Sequence, residues 1–273
     1  MFTYLNPEIR QRLIDSGKLF RIDVAGRRLD MSQPAPEGEL AINVLGPIPL
    51  PLEVGANQLT AQWYATVRSS ELAHVEGLAR DLREHGGQQF FAMLASSMAV
   101  NSVLVIGDPF AADNPLVRVH SSCMTGDVFG SQRCECGPQF LGALERLHTA
   151  PEGGLLIYMS GHEGRGIGLW AKAATYLLQD TGENTYEANR SLGLPDDSRD
   201  FTDAAALLGY FIGHRPFRLL TNNPAKIQAL HNHGLTEVTA ERHIIGVNSW
   251  NQRYLLAKRD WGHRLNEADL KVD

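Results

Sequence analysis

The period of the apolar positions changes several times along the chain, and each change marks an element. Residues 7–16, "PEIRQRLIDS", mix charge with apolar residues at helical spacing behind a proline, which predicts a first helix. The passage "QPAPEGELAINVLGPIPLPLEVG", residues 33–55, is Pro-rich and reads as connecting or edge structure, because proline lacks the amide that an inner strand must donate. A second helix is predicted after residue 68. Ser69 and Ser70 offer a cap, Leu72, Val75, Leu78 and Leu82 follow on one face, and Gly86-Gly87 gives the stop.

From about residue 100 the pattern alternates. "VNSVLVIGD" (100–108) and "PLVRVHSS" (115–122) read as strands joined by a loop at "PFAADN". "PQFLGALERLH" (138–148) reads as a helix with Pro138 near its first position, and "GGLLIYMS" (153–160) as a buried strand. Helices follow at "GIGLWAKAATYLLQDTG" (166–182) and "DFTDAAALLGYFIGH" (200–214), and a strand at "PFRLLT" (216–221). "NNPAKIQALHNHG" (222–234) closes the series as a helix capped by Asn223, started by Pro224 and stopped at Gly234. Such alternation predicts an α/β, or α+β, fold: a mixed sheet flanked by helices, with a boundary near residue 100.

Composition adds limits. The 273 residues are 43% hydrophobic and 21% charged, as in an ordinary soluble globular protein. The longest apolar runs, such as "ALLGYFIG", fall well short of the ~20 residues that cross a bilayer. A formal charge of −6 argues against a general nucleic-acid binder, yet leaves room for a local basic pocket that takes an anionic ligand. No hydrophobic signal segment opens the chain, so a reducing, cytoplasmic compartment is expected.

All three cysteines fall inside "CMTGDVFGSQRCEC", residues 123–136. In a reducing compartment clustered thiols are more often ligands or catalytic groups than bridges, and three leave one unpaired. Three thiolates and a water make an open, catalytic zinc site. A closed site completed by His120 or another histidine, and three inert buried thiols, are the alternatives. Two strand-to-helix turns have the build of anion sites: the Gly-rich "SGHEGRGIG" (160–168), with Glu163 and Arg165, and "TNNPAK" (221–226), with Thr221 and Lys226. Tight connection and a capped surface helix are their plainer readings. "LPDDSRDF" (194–201) places carboxylates beside Arg199, suited to proton transfer and phosphate binding or simply to starting the next helix. Tyr176, among Ala and Leu on a helix, has the surroundings of a core tyrosine.

Taken together, "VRVHSSCMTGDVFGSQRCECGPQ", "HEGRGIGL", "YLLQDTGENTYEAN", "DDSRDF" and "LLTNNPAKI" stand in the order and spacing of the GTP cyclohydrolase II family. The resemblance runs from about residue 104 to 265. It implies a catalytic domain over 101–273, preceded by a divergent region, 1–100, of unknown role. It also implies a riboflavin-biosynthesis enzyme that opens the imidazole ring of GTP, uses zinc and magnesium, and forms a homodimer. Carried over, Cys123, Cys134 and Cys136 hold zinc, Asp197 is the proton acceptor, and Arg199 meets the α-phosphate as nucleophile or, more conservatively, as clamp. Tyr176 lies near the ring-opened base. Arg118, His120, Ser122, Gln139, Glu163, Gly164, Arg165, Thr185, Thr221 and Lys226 fall on ligand-contact positions. Two departures bear on the substrate: Ser122 stands where the family commonly has glutamate, and His162 precedes Glu163 where it commonly has glutamine. A paralogue opening a pyrimidine nucleotide ring and a non-catalytic nucleotide sensor are the rival readings.

Overall fold

Residues 103–106 and 155–157 are apolar at successive positions, as Leu116 and Val117 are, because both faces of their sheet are covered. The structure, a computed structural model, describes residues 5–85 and 98–272. In chain order it has helix α1 (Pro7–Asp15), strands β1 (Leu19–Asp23), β2 (Arg28–Leu29), β3 (Ala41–Val54) and β4 (Asn57–Arg68), and helix α2 (Ser69–His85). Then come β5 (Asn101–Gly107), β6 (Leu116–Ser121), α3 (Cys136–Thr149), β7 (Gly153–Met159), α4 (Gly168–Asp180), α5 (Thr185–Ser191) and α6 (Thr202–Ile212). The chain finishes with β8 (Phe217–Leu220), α7 (Pro224–Asn232), β9 (Val238–Glu241) and α8 (Gln252–Asp260).

One mixed sheet runs β2-β1-β3-β4-β5-β7-β6-β8-β9. The pairs from β2 to β7 are antiparallel, and β7, β6, β8 and β9 are mutually parallel. Val103, Val105, Val117, Val119, Leu155 and Ile157 point to one face and pack on α6. Leu104, Ile106, Leu116, Leu156 and Leu220 point to the other, under Ala143, Leu144 and Leu147 of α3. The mixed α/β architecture expected from the alternation is present.

The Pro-rich passage corrects one expectation. It is neither a connector nor wholly an edge, but a long strand, β3. Residues 42–45 pair on both sides, with β1 and β4, while residues 48–54 pair only with β4. Pro47, Pro49 and Pro51 sit in and beside the one-sided half, where a missing amide leaves no ladder bond unmade. In α2, Val75 and Ala79 are buried but Leu78 faces out. The stop expected at Gly86-Gly87 lies outside the described residues.

Candidate active site

The parallel strands deliver their C-terminal ends to one cleft. β6 runs into Ser122 and Cys123, β7 into the turn of residues 160–166, and β8 into Thr221–Lys226. Loops diverge at such ends and leave room for a ligand.

Cys123 stands two residues past the end of β6, a π-turn over Met124–Val128 reverses the chain, and Cys134 and Cys136 return at the start of α3. The three Sγ atoms lie within 4.8 Å of one another, with 3.6 Å between Cys123 and Cys134. Zinc–sulfur bonds of ~2.3 Å at tetrahedral angles put sulfurs about 3.8 Å apart, so the donors fit a shared zinc. Gly126 maintains the hollow: a Cβ there would stand 3.0 Å from Cys134 Sγ and 3.2 Å from Cys123 Sγ. Among the described residues no histidine joins the group. His120 Nε2 instead donates to Asp127 at 3.1 Å. The three thiols thus meet without a histidine among the described residues, which argues against the closed site completed by His120.

Buried polar groups fix the thiols. Lys172 Nζ donates to Cys123 Sγ at 3.2 Å, Thr125 Oγ1 at 2.9 Å and Glu163 Oε1 at 2.7 Å. Burial works to lower the Lys172 pKa, but Cys123 and Glu163 outweigh it and raise it. Without metal, the thiols do not ionise alike. Hydrogen bonds from Cys134 and Cys136 pull the Cys123 pKa down, whereas Cys134, bonded to that thiolate and buried, is pushed up to about 12. Asp127 is a hub behind them. It accepts from His120 Nε2, from the Tyr158 hydroxyl at 2.9 Å and from the Cys123 amide at 3.0 Å. Burial lowers the His120 pKa, so this imidazole is neutral at pH 7.

Cations crowd the rest of the cleft. Arg165 sits at φ 64 between Gly164 and Gly166, a left-handed conformation that costs a non-glycine residue roughly 1–3 kcal/mol. Its guanidinium lies 3.9 Å over the Tyr186 ring, and both terminal nitrogens are buried with no hydrogen-bond partner among the described residues. Orphaned guanidinium donors in a cleft call for an anion. Lys226 Nζ donates to the Val119 carbonyl at 2.8 Å. Burial, then Arg118, Arg199 and Lys258, depress its pKa well below the usual lysine value. Burial likewise brings Arg118 down to about 10, while its guanidinium donates to Leu220 O and Gln139 Oε1. Arg199 is held along one edge by Asp197, through Nε at 2.9 Å and Nη2 at 2.5 Å.

A family model described as GTP cyclohydrolase II matches residues 73–242. The chain belongs to the GTP cyclohydrolase II family. Similar curated proteins include the riboflavin biosynthesis protein RibBA of Mycobacteroides abscessus, 51% identical over 61% of this chain and 40% of that protein. Those of Salinispora arenicola (45% identical, 76% of this chain, 49% of the relative) and Nocardia farcinica (52%, 61% and 40%) are further examples. The chain thus spans about half or less of the curated relatives it matches. The family match opens at residue 73, inside α2, ahead of the first strand that carries a motif.

The family's motifs converge on the cleft. Cys123, Cys134, Cys136, Glu163 and Tyr176 line it around the thiols, and the Tyr176 hydroxyl is 3.2 Å from Thr125 Oγ1, outside any core. Arg118, His120 and Ser122 line it from β6 and its extension, and Gln139 from α3. Gly164, Arg165 and Thr185 line it beside α4 and α5, and Arg199, Thr221 and Lys226 beside α6 and α7. Asp197 does not line it, but stands beside Arg199 and takes its donors. The two GTP cyclohydrolase II departures face inward: the Ser122 hydroxyl donates to Ser160 O at 2.9 Å, and His162 is buried. Sequence reasoning missed Lys172, Asp127, Glu135, Tyr254 and Lys258. Lys172 had a signal, since four residues from Tyr176 on one helix places both on one face. Lys258, ion-paired with Glu135 at 2.6 Å, carried none, because α8 has no motif.

Proposed function

We propose that this chain is a zinc-dependent hydrolase that opens the imidazole ring of GTP. The products are formate, pyrophosphate and 2,5-diamino-6-(5-phosphoribosylamino)pyrimidin-4(3H)-one, in the first step of riboflavin biosynthesis. One observation carries the reading: three convergent thiols share a cleft with the partnerless donors of Arg165, in a chain of this family. RibBA relatives named for riboflavin biosynthesis support the pathway. Two waters are needed to remove C8 as formate, and one to split the α–β phosphoanhydride.

Cys123, Cys134 and Cys136 hold the zinc. When bound, zinc supplies Lewis acidity and an open coordination position for water activation. Lys172 balances thiolate charge and donates to Glu163 beside it. Arg165, Arg199 and Lys226 bind the phosphates, and magnesium arrives with them as part of the substrate. Arg199 acts as a clamp on the α-phosphate. Hydrogen bonds and charge from Asp197 overcome burial and raise its pKa, so the guanidinium keeps its proton and is a poor nucleophile. Asp197, its own pKa lowered by Arg199 against the effect of burial, stays ionised as a proton acceptor. Gln139, Thr185 and Ser122 offer hydrogen bonds to the base and sugar, and Tyr176 closes the thiol end. A cytoplasmic homodimer is part of this reading.

The test is product mass. Purified protein with magnesium is given GTP, GMP, UMP and uridine in competition. Formate and pyrophosphate from GTP are expected. Consumption of a pyrimidine nucleotide without pyrophosphate, or nucleotide binding without turnover, overturns the reading.

A further inference from the structure

His162 is a buried histidine for which the cleft's chemistry gives no task. It lies in the turn that follows β7, its ring edge-on to Phe201 at 4.9 Å. Its two nitrogens have different partners. Nε2 is 2.9 Å from the Asp200 carbonyl, which only accepts, so Nε2 carries a proton. Nδ1 is 3.2 Å from Ser121 Oγ. Burial, with Arg199 and Lys226 nearby, holds the His162 pKa down at about 4 against the opposing Asp200 carbonyl and Asp197. The ring is therefore neutral, Nδ1 is a lone pair, and the Ser121 hydroxyl donates to it. With its proton so committed, Ser121 Oγ presents lone pairs to Arg199 Nη1 at 3.3 Å.

We propose that His162 is a positioning residue that acts through Ser121 to fix the guanidinium of Arg199 in the cleft. Asp197 holds one edge of that guanidinium and Ser121 the other, so three of its five N–H bonds are committed. The remaining two, one on each terminal nitrogen, are left for a phosphate. A serine hydroxyl alone is an indifferent guide, because it rotates and can present its hydrogen to Arg199 as readily as a lone pair. The Nδ1 acceptor removes that freedom. The direction of the chain is set at its far end, where the Asp200 carbonyl selects the tautomer.

The kinetic part of the proposal rests on the GTP reading above; the hydrogen-bond chain does not. The zinc protein is compared with His162→Leu, Ser121→Ala, their double variant and His162→Gln, whose amide can accept and donate in the same two directions. Zinc content and melting temperature are measured for each, with formate and pyrophosphate quantified separately and ¹⁵N spectra recorded on histidine-labelled protein. The spectra are expected to show His162 protonated at Nε2 near pH 7, with the Nδ1 resonance moved by Ser121→Ala. His162→Leu and Ser121→Ala should each lower kcat about ten-fold with KM within about three-fold of wild type and zinc unchanged. The double variant should be no worse than the poorer single, since one chain is cut in either case. His162→Gln should recover to within about three-fold of wild type. A proton on Nδ1, multiplicative losses in the double variant, or wild-type kcat in His162→Leu overturns the proposal. If wild type leaves GTP untouched, the GTP reading fails, and the tautomer with its response to Ser121→Ala alone decides whether the chain exists.

Discussion

Gly126 has less chemistry than any other residue near the thiols, and its missing side chain leaves the space among them clear. Its Cβ in Gly126→Ala would press on Cys134 Sγ and Cys123 Sγ at 3.0 and 3.2 Å while removing no ligand. Zinc per chain should therefore fall from about one to below half after brief chelator challenge, as Cys134→Ser should do by leaving two thiolates. Metal analysis of both variants checks this, and full occupancy in either would count against a shared ion. Arg199 and Asp197 differ in a way the sequence hid. Placed two residues apart, they looked like separate acid–base and phosphate groups, but Asp197 binds three of the groups of Arg199, counting its backbone amide. Arg199→Ala should abolish pyrophosphate release. Asp197→Asn, which keeps shape but loses charge, should slow both formate and pyrophosphate by at least ten-fold, because the clamp loosens along with the acceptor. Separate assays for the two products distinguish that outcome from loss of proton transfer alone.

Elements were legible where one local signal sufficed. α7 shows this: Asn223 Oδ1 accepts from the Ala225 amide at 2.9 Å, Pro224 opens the helix, and Gly234 lies just past it at φ 83. Asn223→Ala should cost about 1 kcal/mol, roughly a 2–4 °C fall in Tm for a chain of this size. Because Lys226 sits in the first turn of the same helix, the KM for GTP should rise with it, and thermal melts alongside substrate titrations check both. The buried strands β5, β6, β7 and β8 were legible from their apolar positions, because both faces of the sheet are covered. β1, β2 and β4 were not. β4 is largely half-buried and interleaves Thr, Gln and Ala with its aromatics, so neither period nor length singled it out. β3 carried prolines that argue against a strand interior, and only its register shows that they fall where one side is unpaired. Within the site, motif residues were found and their supports were not. Asp127, Lys172 and Ser121 act through contacts made by strands and helices far apart in sequence.

Across the whole molecule, the sheet continues from the N-terminal strands into the half that bears the cleft, through the pairing of β4 with β5. One side chain reinforces that join. Arg68, the last residue of β4, donates to Asp203 Oδ1 at 2.8 Å and Asp200 Oδ2 at 2.7 Å, reaching the segment that begins α6 and follows Arg199. Asp203 is buried, and Asn101 donates to its other oxygen at 3.2 Å. Burial raises the Asp203 pKa, Asp200 and Glu71 raise it further, and Arg68 is what opposes them. Arg68→Met keeps the packing stem and deletes the opposing charge, so the Asp203 pKa should climb. A carboxyl whose pKa is higher folded than unfolded binds more protons in the native state across that interval, so its stability contribution falls as pH rises. The deficit of Arg68→Met against wild type should thus be larger at pH 8 than at pH 5. At pH 8 it should reach about 2–3 kcal/mol, below the ~3–5 for breaking a fully buried pair because the Arg68 side chain is 33% exposed. Asp200, brought down to about 2 against the effect of burial by Thr202 and Arg68, changes stability only as pH falls from about 4 toward 2 and does not enter this window. The thiols titrate alike in both proteins and cancel in the difference. Denaturant unfolding of the two proteins at pH 5, 6.5 and 8 measures the deficit directly. Equal deficits at all three pH values would mean that Asp203 stays ionised without Arg68, and no deficit at any of them would mean that the join between the two halves rests on the β4–β5 ladder alone.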